Sequence, residues 1–291
     1  MENKTTADNY YKIEKLFDKI YRISSLEGTF LFLFLGDRKA LLLDTGYGFG
    51  DLKGAVREIT DLPLIIVNSH GHLDHVCGNF QFNEEIYIHS KDMELCKSHN
   101  STESRQKIVK GARNLMDFTS GEERNALPED FSDADYIRQG YGNLVPLEAG
   151  QVFDLGEVTI AVHELPGHTA GSVGLEYREE GILFPTDAIN PLVFLFLPES
   201  TDLATYKESL QKANGLDIKY IVFSHSPKIA SKSILEDFIE CANYVDYNRG
   251  FPFEGEEFRK FEPRICPRKG FGPHDVMKTG FAAIVIDQSR C

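Results

Sequence analysis

The feature that most constrains this chain is a polar cluster that directly follows an apolar run. The run, residues 62–67 (Leu-Pro-Leu-Ile-Ile-Val), has the length and composition that predict a buried strand of a covered sheet. The cluster, residues 68–75 (Asn-Ser-His-Gly-His-Leu-Asp-His), holds three imidazoles and one carboxylate within its last six residues. Because open α/β sheets place ligands at the carboxyl ends of their strands, we expect a functional site at this edge.

The residue types of this cluster are those that bind transition metals. Neutral imidazole suits zinc and its neighbours in the first transition row, and a carboxylate adds a harder ligand. His70 and His72, two residues apart, can converge on one ion, while Asp74 and His75 can hold a second. The competing interpretation is a polar loop that happens to be rich in histidine.

Three later segments repeat the same arrangement of a predicted strand followed by an imidazole or a carboxylate. His168, Asp187 and His225 come after the predicted strands 157–164, 181–184 and 219–223. Four strand ends with such groups are improbable by chance. Chemically, His70, His72 and His168 make one three-imidazole site with an open position, and Asp74, His75 and His225 make a second, with Asp187 bridging both. Two divalent ions held in this way would activate a water molecule between them, which predicts hydrolysis.

An earlier strand end supplies a supporting carboxylate. Asp44 closes the predicted strand 39–44 and can accept a hydrogen bond from the free N–H of a ligating imidazole, which fixes its tautomer. The glycine-rich segment 45–50 that follows lacks the GxxxxGK[ST] spacing and its lysine, so we reject a phosphate loop.

Strands and helices alternate along the chain, which indicates an α/β fold. The segment 91–124 is helix-like, and 128–141 is acidic and loop-like. Residues 90–145 are therefore predicted to form a helical insertion, and the aromatic segment 250–291 a C-terminal extension. We expect further strands at 12–24, 28–35, 85–89, 144–147, 151–155, 173–177 and 281–286, and helices at 51–60, 202–214 and 231–247.

Composition excludes some classes of function. The 291-residue chain carries a formal net charge of −14, so a surface that binds nucleic acid in bulk is not expected. The apolar runs are too short to span a membrane. Five cysteines without a CxxC pair, and an amino terminus without an apolar signal segment, predict a cytoplasmic protein with unpaired thiols.

Other candidate side chains have ordinary interpretations. Cys77 is expected to be a buried thiol at the start of a helix, although a soft ligand so near His75 could compete for metal. His89, His99 and His163 are expected to pack rather than react. The sequence leaves open whether Cys266 or His274, both in the C-terminal extension, approaches a substrate.

The motif HxHxDH at 70–75, Gly-His at 167–168, Thr-Asp at 186–187 and Ser-His at 224–225 resemble the metallo-β-lactamase-fold hydrolase superfamily. The Leu-Asp-Thr-Gly sequence that contains Asp44 matches as well. The resemblance implies a single domain over 1–291, an αββα sandwich of two mixed β-sheets with helices on the outer faces. It also implies that Asp74 transfers a proton during turnover.

Within that superfamily the motifs are similar to those of hydroxyacylglutathione hydrolases and lactonases. Asp187 stands where many β-lactamases have a cysteine, which makes antibiotic hydrolysis less expected. The tyrosine that lactonases carry after this aspartate is absent, and Asn190 can polarise a carbonyl instead.

We therefore expect a dinuclear metal-dependent hydrolase of a small ester, thioester or lactone, acting through a hydroxide that bridges the metals. The expected cofactors are two divalent ions, zinc first and iron or manganese as alternatives. The expected partner is a small-molecule substrate, without nucleic acid or membrane, and a homodimer is a further expectation. The alternatives are a phosphodiesterase on the same site and a metal-binding sensor on a hydrolase fold.

Overall fold

A computed structural model describes residues 3–6, 10–116, 123–148, 150–276 and 278–291. The chain divides into two compact units, one formed by residues 1–148 and 153–159 and the other by residues 149–152 and 160–291. They are called unit 1 and unit 2 below.

Unit 1 is built on a mixed sheet that has eight strands in the described part of the chain, in the order β1-β2-β3-β4-β5-β6-β7-β10. Neighbours from β1 to β5 pair antiparallel, and β5, β6, β7 and β10 run parallel. A small antiparallel pair, β8 with β9, lies apart from it. The strands are β1 (Asn3–Thr5), β2 (Lys12–Phe17), β3 (Ile20–Ser24), β4 (Phe30–Leu35), β5 (Ala40–Leu43), β6 (Leu64–Val67), β7 (Glu85–His89), β8 (Leu115–Met116), β9 (Glu123–Arg124) and β10 (Asn143–Leu147).

The described residues of this unit also form five helices. The central strands are covered, since every residue of β5 is buried, and the apolar faces of α1 and α4 join this core. Asp51 begins α1 by accepting a hydrogen bond from the Gly54 N–H. The helices are α1 (Leu52–Arg57), α2 (Leu73–Val76), α3 (Met93–His99), α4 (Thr102–Arg113) and α5 (Asp133–Ile137).

Unit 1 departs from the sequence prediction in three places. Residues 12–24 form two strands rather than one, with a turn at residues 18–19. The helix-like segment 91–124 stops being helical at Arg113. The acidic segment 128–141 is not only a loop, because α5 begins after Ser132, which accepts from the Asp135 N–H, and Asp133 and Asp135 favour the first turn of a helix.

One sheet of unit 2 contains the strands β12, β13, β14, β16 and β17 in that order. In it β14 and β16 run parallel, and the other neighbours pair antiparallel. A second sheet has the order β15-β20-β19-β18. The strands are β11 (Val152–Asp154) at the boundary of the units, β12 (Thr159–Glu164), β13 (Val173–Tyr177), β14 (Ile182–Phe184), β15 (Leu192–Leu195), β16 (Tyr220–Val222), β17 (Ile229–Ser231), β18 (Phe251–Pro252), β19 (Arg264–Pro267) and β20 (Ala283–Ile286).

Two helices, α6 (Leu203–Asn214) and α7 (Ile234–Asn243), pack in the apolar core of unit 2. The helix predicted at 231–247 is shorter, because β17 takes its first residue and the helix ends at Asn243. The C-terminal extension contributes β18 and β19 as well as the predicted final strand.

Mixed sheets with helices confirm the predicted α/β class. Among the described residues, the helices are too short and too polar to cross a membrane.

Candidate metal centre

The histidine-rich loop of unit 1 leaves the sheet at Val67, the last residue of β6. Its first backbone N–H, that of Asn68, donates to the Tyr87 carbonyl of the neighbouring strand at 2.8 Å. The loop then turns into α2 with His72 as its N-cap residue. His70, His72 and His75 are all buried, so the polar cluster lies within the protein and not on its surface.

Asp44 supports this loop from the adjacent strand end. It is fully buried and has a φ of 64°, a left-handed conformation that Asp and Asn tolerate better than most residues. Its carboxylate accepts hydrogen bonds from the Ser69 N–H at 2.7 Å and the Ser69 hydroxyl at 2.8 Å. It also accepts one from Nδ1 of His75 at 2.8 Å. The structure therefore places Asp44 in hydrogen-bond contact with an imidazole, and the role of that imidazole as a metal ligand stays a prediction.

These contacts determine the tautomer of His70. The Ser69 hydroxyl gives its hydrogen to Asp44, so its oxygen accepts from Nδ1 of His70 at 3.0 Å and the lone pair of His70 is on Nε2. Nε2 of His70 lies 3.1 Å from Nδ1 of His72. Two nitrogens that bind one tetrahedral zinc ion at its usual bond length are separated by about 3.3 Å, so the spacing fits a shared cation.

Asp74 and His75 form a second pair of acceptor atoms. Since Nδ1 of His75 donates to Asp44, its lone pair is on Nε2, and that atom lies 3.3 Å from Oδ2 of Asp74. A positive charge between these two atoms, from a proton or from a bound cation, stabilises the contact. Imidazole with carboxylate is a common donor set for a divalent cation.

In unit 2 the ring of His168 is also oriented by a hydrogen bond at Nδ1, here to a backbone carbonyl. Nδ1 of His168 donates to the Phe194 carbonyl at 3.0 Å, which leaves the lone pair on Nε2. The carbonyl oxygen of His168 accepts from the Ser200 hydroxyl at 2.8 Å. β15, which contains Phe194, was not predicted from the sequence, so this contact was missed.

Asp187 lies between two imidazoles of the same unit. It follows Thr186, whose φ of 49° is again left-handed and marks a sharp turn after β14. Oδ2 of Asp187 is 3.8 Å from Nε2 of His168, and Oδ1 is 3.2 Å from Nε2 of His225. The amide nitrogen of Asn190 lies 3.4 Å from Oδ1 of Asp187. Each unit thus brings imidazole and carboxylate groups within about 4 Å of one another, and such groups are of the kind that binds divalent cations.

Several other candidates have packing roles. Cys77 is fully buried, but it ends α2 and does not start it, and burial raises the pKa of its thiol to about 12. Cys266 lies in the core of unit 2, where burial raises its pKa to about 11. His163 lies 2.7 Å from Glu176 on the neighbouring strand. His274 is exposed, and Nδ1 of His89 accepts from the Lys91 N–H.

Two residues near the cluster were missed as candidates. Asp92 accepts a hydrogen bond from the Gly71 N–H, and Nδ1 of His99 donates to the Gly71 carbonyl, each at 2.9 Å. His99 was interpreted as an ordinary packing histidine, because nothing in its local sequence indicates a contact with residue 71. His99 and Gly71 are 28 positions apart in the sequence, so their hydrogen bond is a tertiary contact that no local sequence pattern indicates.

Comparison with curated proteins gives distant relatives. The acyl-coenzyme A thioesterase MBLAC2 of Homo sapiens is 25% identical over 172 residues, which cover 55% of this chain and 57% of that protein. The corresponding protein of Gallus gallus is 27% identical over 175 residues, with the same coverage of both chains. The matched part of the chain therefore spans little more than half the length of these relatives.

Solved structures show the fold. A metallo-β-lactamase from Pontibacter korlensis superimposes with a TM-score of 0.54 at 16% identity, covering 81% of this chain and all of that chain. The sec-alkylsulfatase Pisa1 from Pseudomonas sp. gives a TM-score of 0.62 at 13% identity, covering 83% of this chain and 43% of that one. The family model described as the metallo-beta-lactamase superfamily matches residues 26–225, more than half of the chain. With its fold and its two histidine and carboxylate clusters, the chain belongs to the metallo-β-lactamase superfamily.

Proposed function

We propose that this protein is a metal-dependent hydrolase that cleaves acyl thioesters with two divalent cations. In this proposal His70, His72 and His168 hold one ion. Asp74, His75 and His225 would hold the other, and Asp187, which lies near both His168 and His225, would contribute to both. The observation that carries the proposal is the close approach of potential ligand atoms within each unit: 3.1 Å between His70 and His72 and 3.3 Å between Asp74 and His75 in unit 1, and 3.2 Å between Asp187 and His225 in unit 2.

Membership of the superfamily supports a hydrolase, and the extent of the family match supports a single catalytic domain. The family model runs from residue 26 to residue 225 and includes residues of both units. We infer from this that residues 1–291 form one metallo-β-lactamase-fold domain, with an insertion at 90–145 and an extension at 250–291.

The donor atoms favour zinc, with iron or manganese as alternatives. The set is made of imidazole nitrogens and carboxylate oxygens, which all three ions accept. The nearby thiol of Cys77 is buried and donates a hydrogen bond to the His99 carbonyl at 3.6 Å, so it already has a partner outside the proposed donor set. When bound, the ions would polarise the substrate carbonyl and lower the pKa of a water molecule.

The side chains of the protein have separate tasks in this reaction. Asp44, through His75 and Ser69, fixes the tautomers of two ligands, so their lone pairs point away from the supporting carboxylate. Asp74 is only partly buried, and its carboxylate is the group that we propose takes up a proton when water attacks. The amide of Asn190 has two N–H bonds, so one can hold Asp187 while the other polarises the substrate carbonyl.

The proposal of a thioester substrate is supported by the curated relatives, whose names give an acyl-coenzyme A thioesterase activity. Hydrolysis of a thioester adds water across the C–S bond and releases a carboxylic acid and a thiol. Small esters and lactones contain the same electrophilic carbonyl and remain in the proposed range. A phosphodiester would require attack at phosphorus, for which the relatives offer no support.

The test is hydrolysis by metal-loaded protein of a panel of acyl-coenzyme A thioesters, simple esters, lactones and phosphodiesters. We expect thioester cleavage with zinc, iron or manganese, and at least about a 100-fold loss of kcat/KM in His70→Ala and Asp187→Asn. His274→Ala, which changes an exposed histidine, is the matched control and should retain the wild-type rate.

Turnover of phosphodiesters alone would replace the thioesterase assignment with the phosphodiesterase alternative. Metal uptake without hydrolysis of any compound above the His70→Ala rate would favour the sensor.

A further inference from the structure

We propose that Asp92 and His99 are positioning residues that hold the backbone of Gly71 and thereby set the affinity of His70 and His72 for a divalent cation. The inference rests on the proposed function, because it assumes that these two histidines are metal ligands. It gives the predicted insertion a defined role at the metal centre.

Both backbone polar groups of Gly71 are held by the segment that forms the start and the end of α3. The Gly71 N–H donates to Oδ2 of Asp92 at 2.9 Å, and the Gly71 carbonyl accepts from Nδ1 of His99 at 2.9 Å. Asp92 is buried, with 1% of its surface exposed, so its charge is held inside the protein beside this N–H group. Hydrogen bonds to a buried carboxylate are stronger than those between neutral groups.

The contact is close enough to require glycine at position 71. A Cβ atom added there would lie 2.9 Å from the Asp92 carbonyl oxygen and 3.0 Å from the Cys96 backbone nitrogen. These are backbone atoms, so they cannot move aside as a flexible side chain would. The loop between the two ligands is therefore packed directly against the backbone of α3.

The His99 end of α3 is itself fixed to the helix that carries Asp74 and His75. The thiol of Cys77, at the end of α2, donates to the His99 carbonyl at 3.6 Å. The fully buried Arg105 donates to the Cys77 carbonyl at 3.0 Å and to the Asn100 side chain at 2.5 Å. The ring of His99 also lies beside that of His72, with centroids 5.5 Å apart.

The physical consequence concerns the peptide between the two ligands. The orientation of this peptide determines the directions of the His70 and His72 side chains, whose nearest ring nitrogens are 3.1 Å apart. If the peptide is fixed before the cation binds, the cation does not have to order the loop. Supporting contacts of this kind commonly change metal affinity by about 10–100-fold.

The experiment compares two substitutions at one position in metal-free protein titrated with zinc against a chelating indicator. His99→Phe keeps an aromatic ring beside His72 but removes the N–H donor, whereas His99→Asn keeps an N–H near the place of Nδ1. We expect zinc affinity to fall about 10–100-fold in His99→Phe and to stay within about threefold of wild type in His99→Asn. His274→Phe, at an exposed histidine, should bind like wild type.

Amide hydrogen exchange of the metal-free wild type gives an independent measurement that needs no variant. We expect slow exchange at the Gly71 N–H, because it is bonded to a buried carboxylate. Fast exchange there, or wild-type zinc affinity in His99→Phe, would overturn the inference while leaving the proposed function intact. Wild-type protein that takes up none of zinc, iron and manganese would overturn both.

Discussion

Asp44 shows how one residue can combine a backbone requirement with an electrostatic one. Its φ of 64° disfavours most side chains, and its buried carboxylate accepts three hydrogen bonds from Ser69 and His75. Asparagine tolerates the same backbone conformation but offers one acceptor oxygen and an amide that donates. The substitution Asp44→Asn therefore separates the two requirements.

We expect Asp44→Asn to fold, to lose about 1.5–3 kcal/mol of stability and to bind zinc about 10–100-fold more weakly. The physical reason is that all three donors lose a charged acceptor and at least one of them faces an N–H group instead, so His75 or Ser69 is no longer fixed. Thermal unfolding and zinc competition measure the two effects. Asp51→Asn, at an exposed helix cap, is the control, and unchanged zinc affinity in Asp44→Asn would refute the supporting role.

At the scale of residues, the chemical type of the side chains predicted more of the candidate site than the pattern of neighbouring residues did. Imidazoles and carboxylates after strands were recognisable from type and position, and the structure places Asp44 in hydrogen-bond contact with one of these imidazoles. Asp92 and His99 were missed because their contacts with the loop are tertiary, as is the contact of the loop residue Ser69 with Asp44. The Phe194 contact uses a backbone carbonyl, which every residue has, so the sequence contains no signal for it.

At the scale of elements, hydrophobic patterns located the strands well and the short helices poorly. β7 and β13 have the predicted bounds, because apolar and β-branched residues are bounded there by clear polar segments. The two-residue turn between β2 and β3 and the five-residue α5 depend on local hydrogen bonds rather than on periodicity. The edge strands β17 and β18 are short and largely exposed, so they have little apolar pattern.

The N-terminus of α6 gives a prediction at this scale. The Asp202 carboxylate accepts from the Thr205 N–H at 2.8 Å, and this bond lowers the pKa of Asp202. Because the folded pKa is below the unfolded value, the stabilisation is present at neutral pH and is lost as the pH falls through the folded pKa.

We expect Asp202→Ala to cost about 1 kcal/mol at neutral pH, and the difference from wild type to shrink in acid as wild-type Asp202 becomes protonated. Chemical denaturation of both proteins across the acid range measures this change. Glu208→Ala, at an exposed position within the same helix, should show no such trend. A difference that is constant with pH would mean that the carboxylate charge is not what stabilises the helix.

At the scale of the whole molecule, the proposed ligands are divided between the two compact units. Unit 1 supplies His70, His72, Asp74 and His75, and unit 2 supplies His168, Asp187 and His225. Under the ligand division proposed above, a cation is bound only when both units are folded. Its binding free energy then adds to the free energy of unfolding of the whole chain, in proportion to the logarithm of the free metal concentration.

Metal removal should therefore destabilise both units together. With zinc at about 1,000 times its dissociation constant, one site adds roughly 4 kcal/mol, which corresponds to a fall in Tm on the order of 10 °C after chelation. Calorimetry with and without chelator measures the shift, and limited proteolysis reports each unit separately. His70→Ala and His225→Ala, one ligand from each unit, should each respond less to the chelator. If chelation made only one unit sensitive to protease, the cations would be held by that unit alone, and the proposed division of ligands would be wrong.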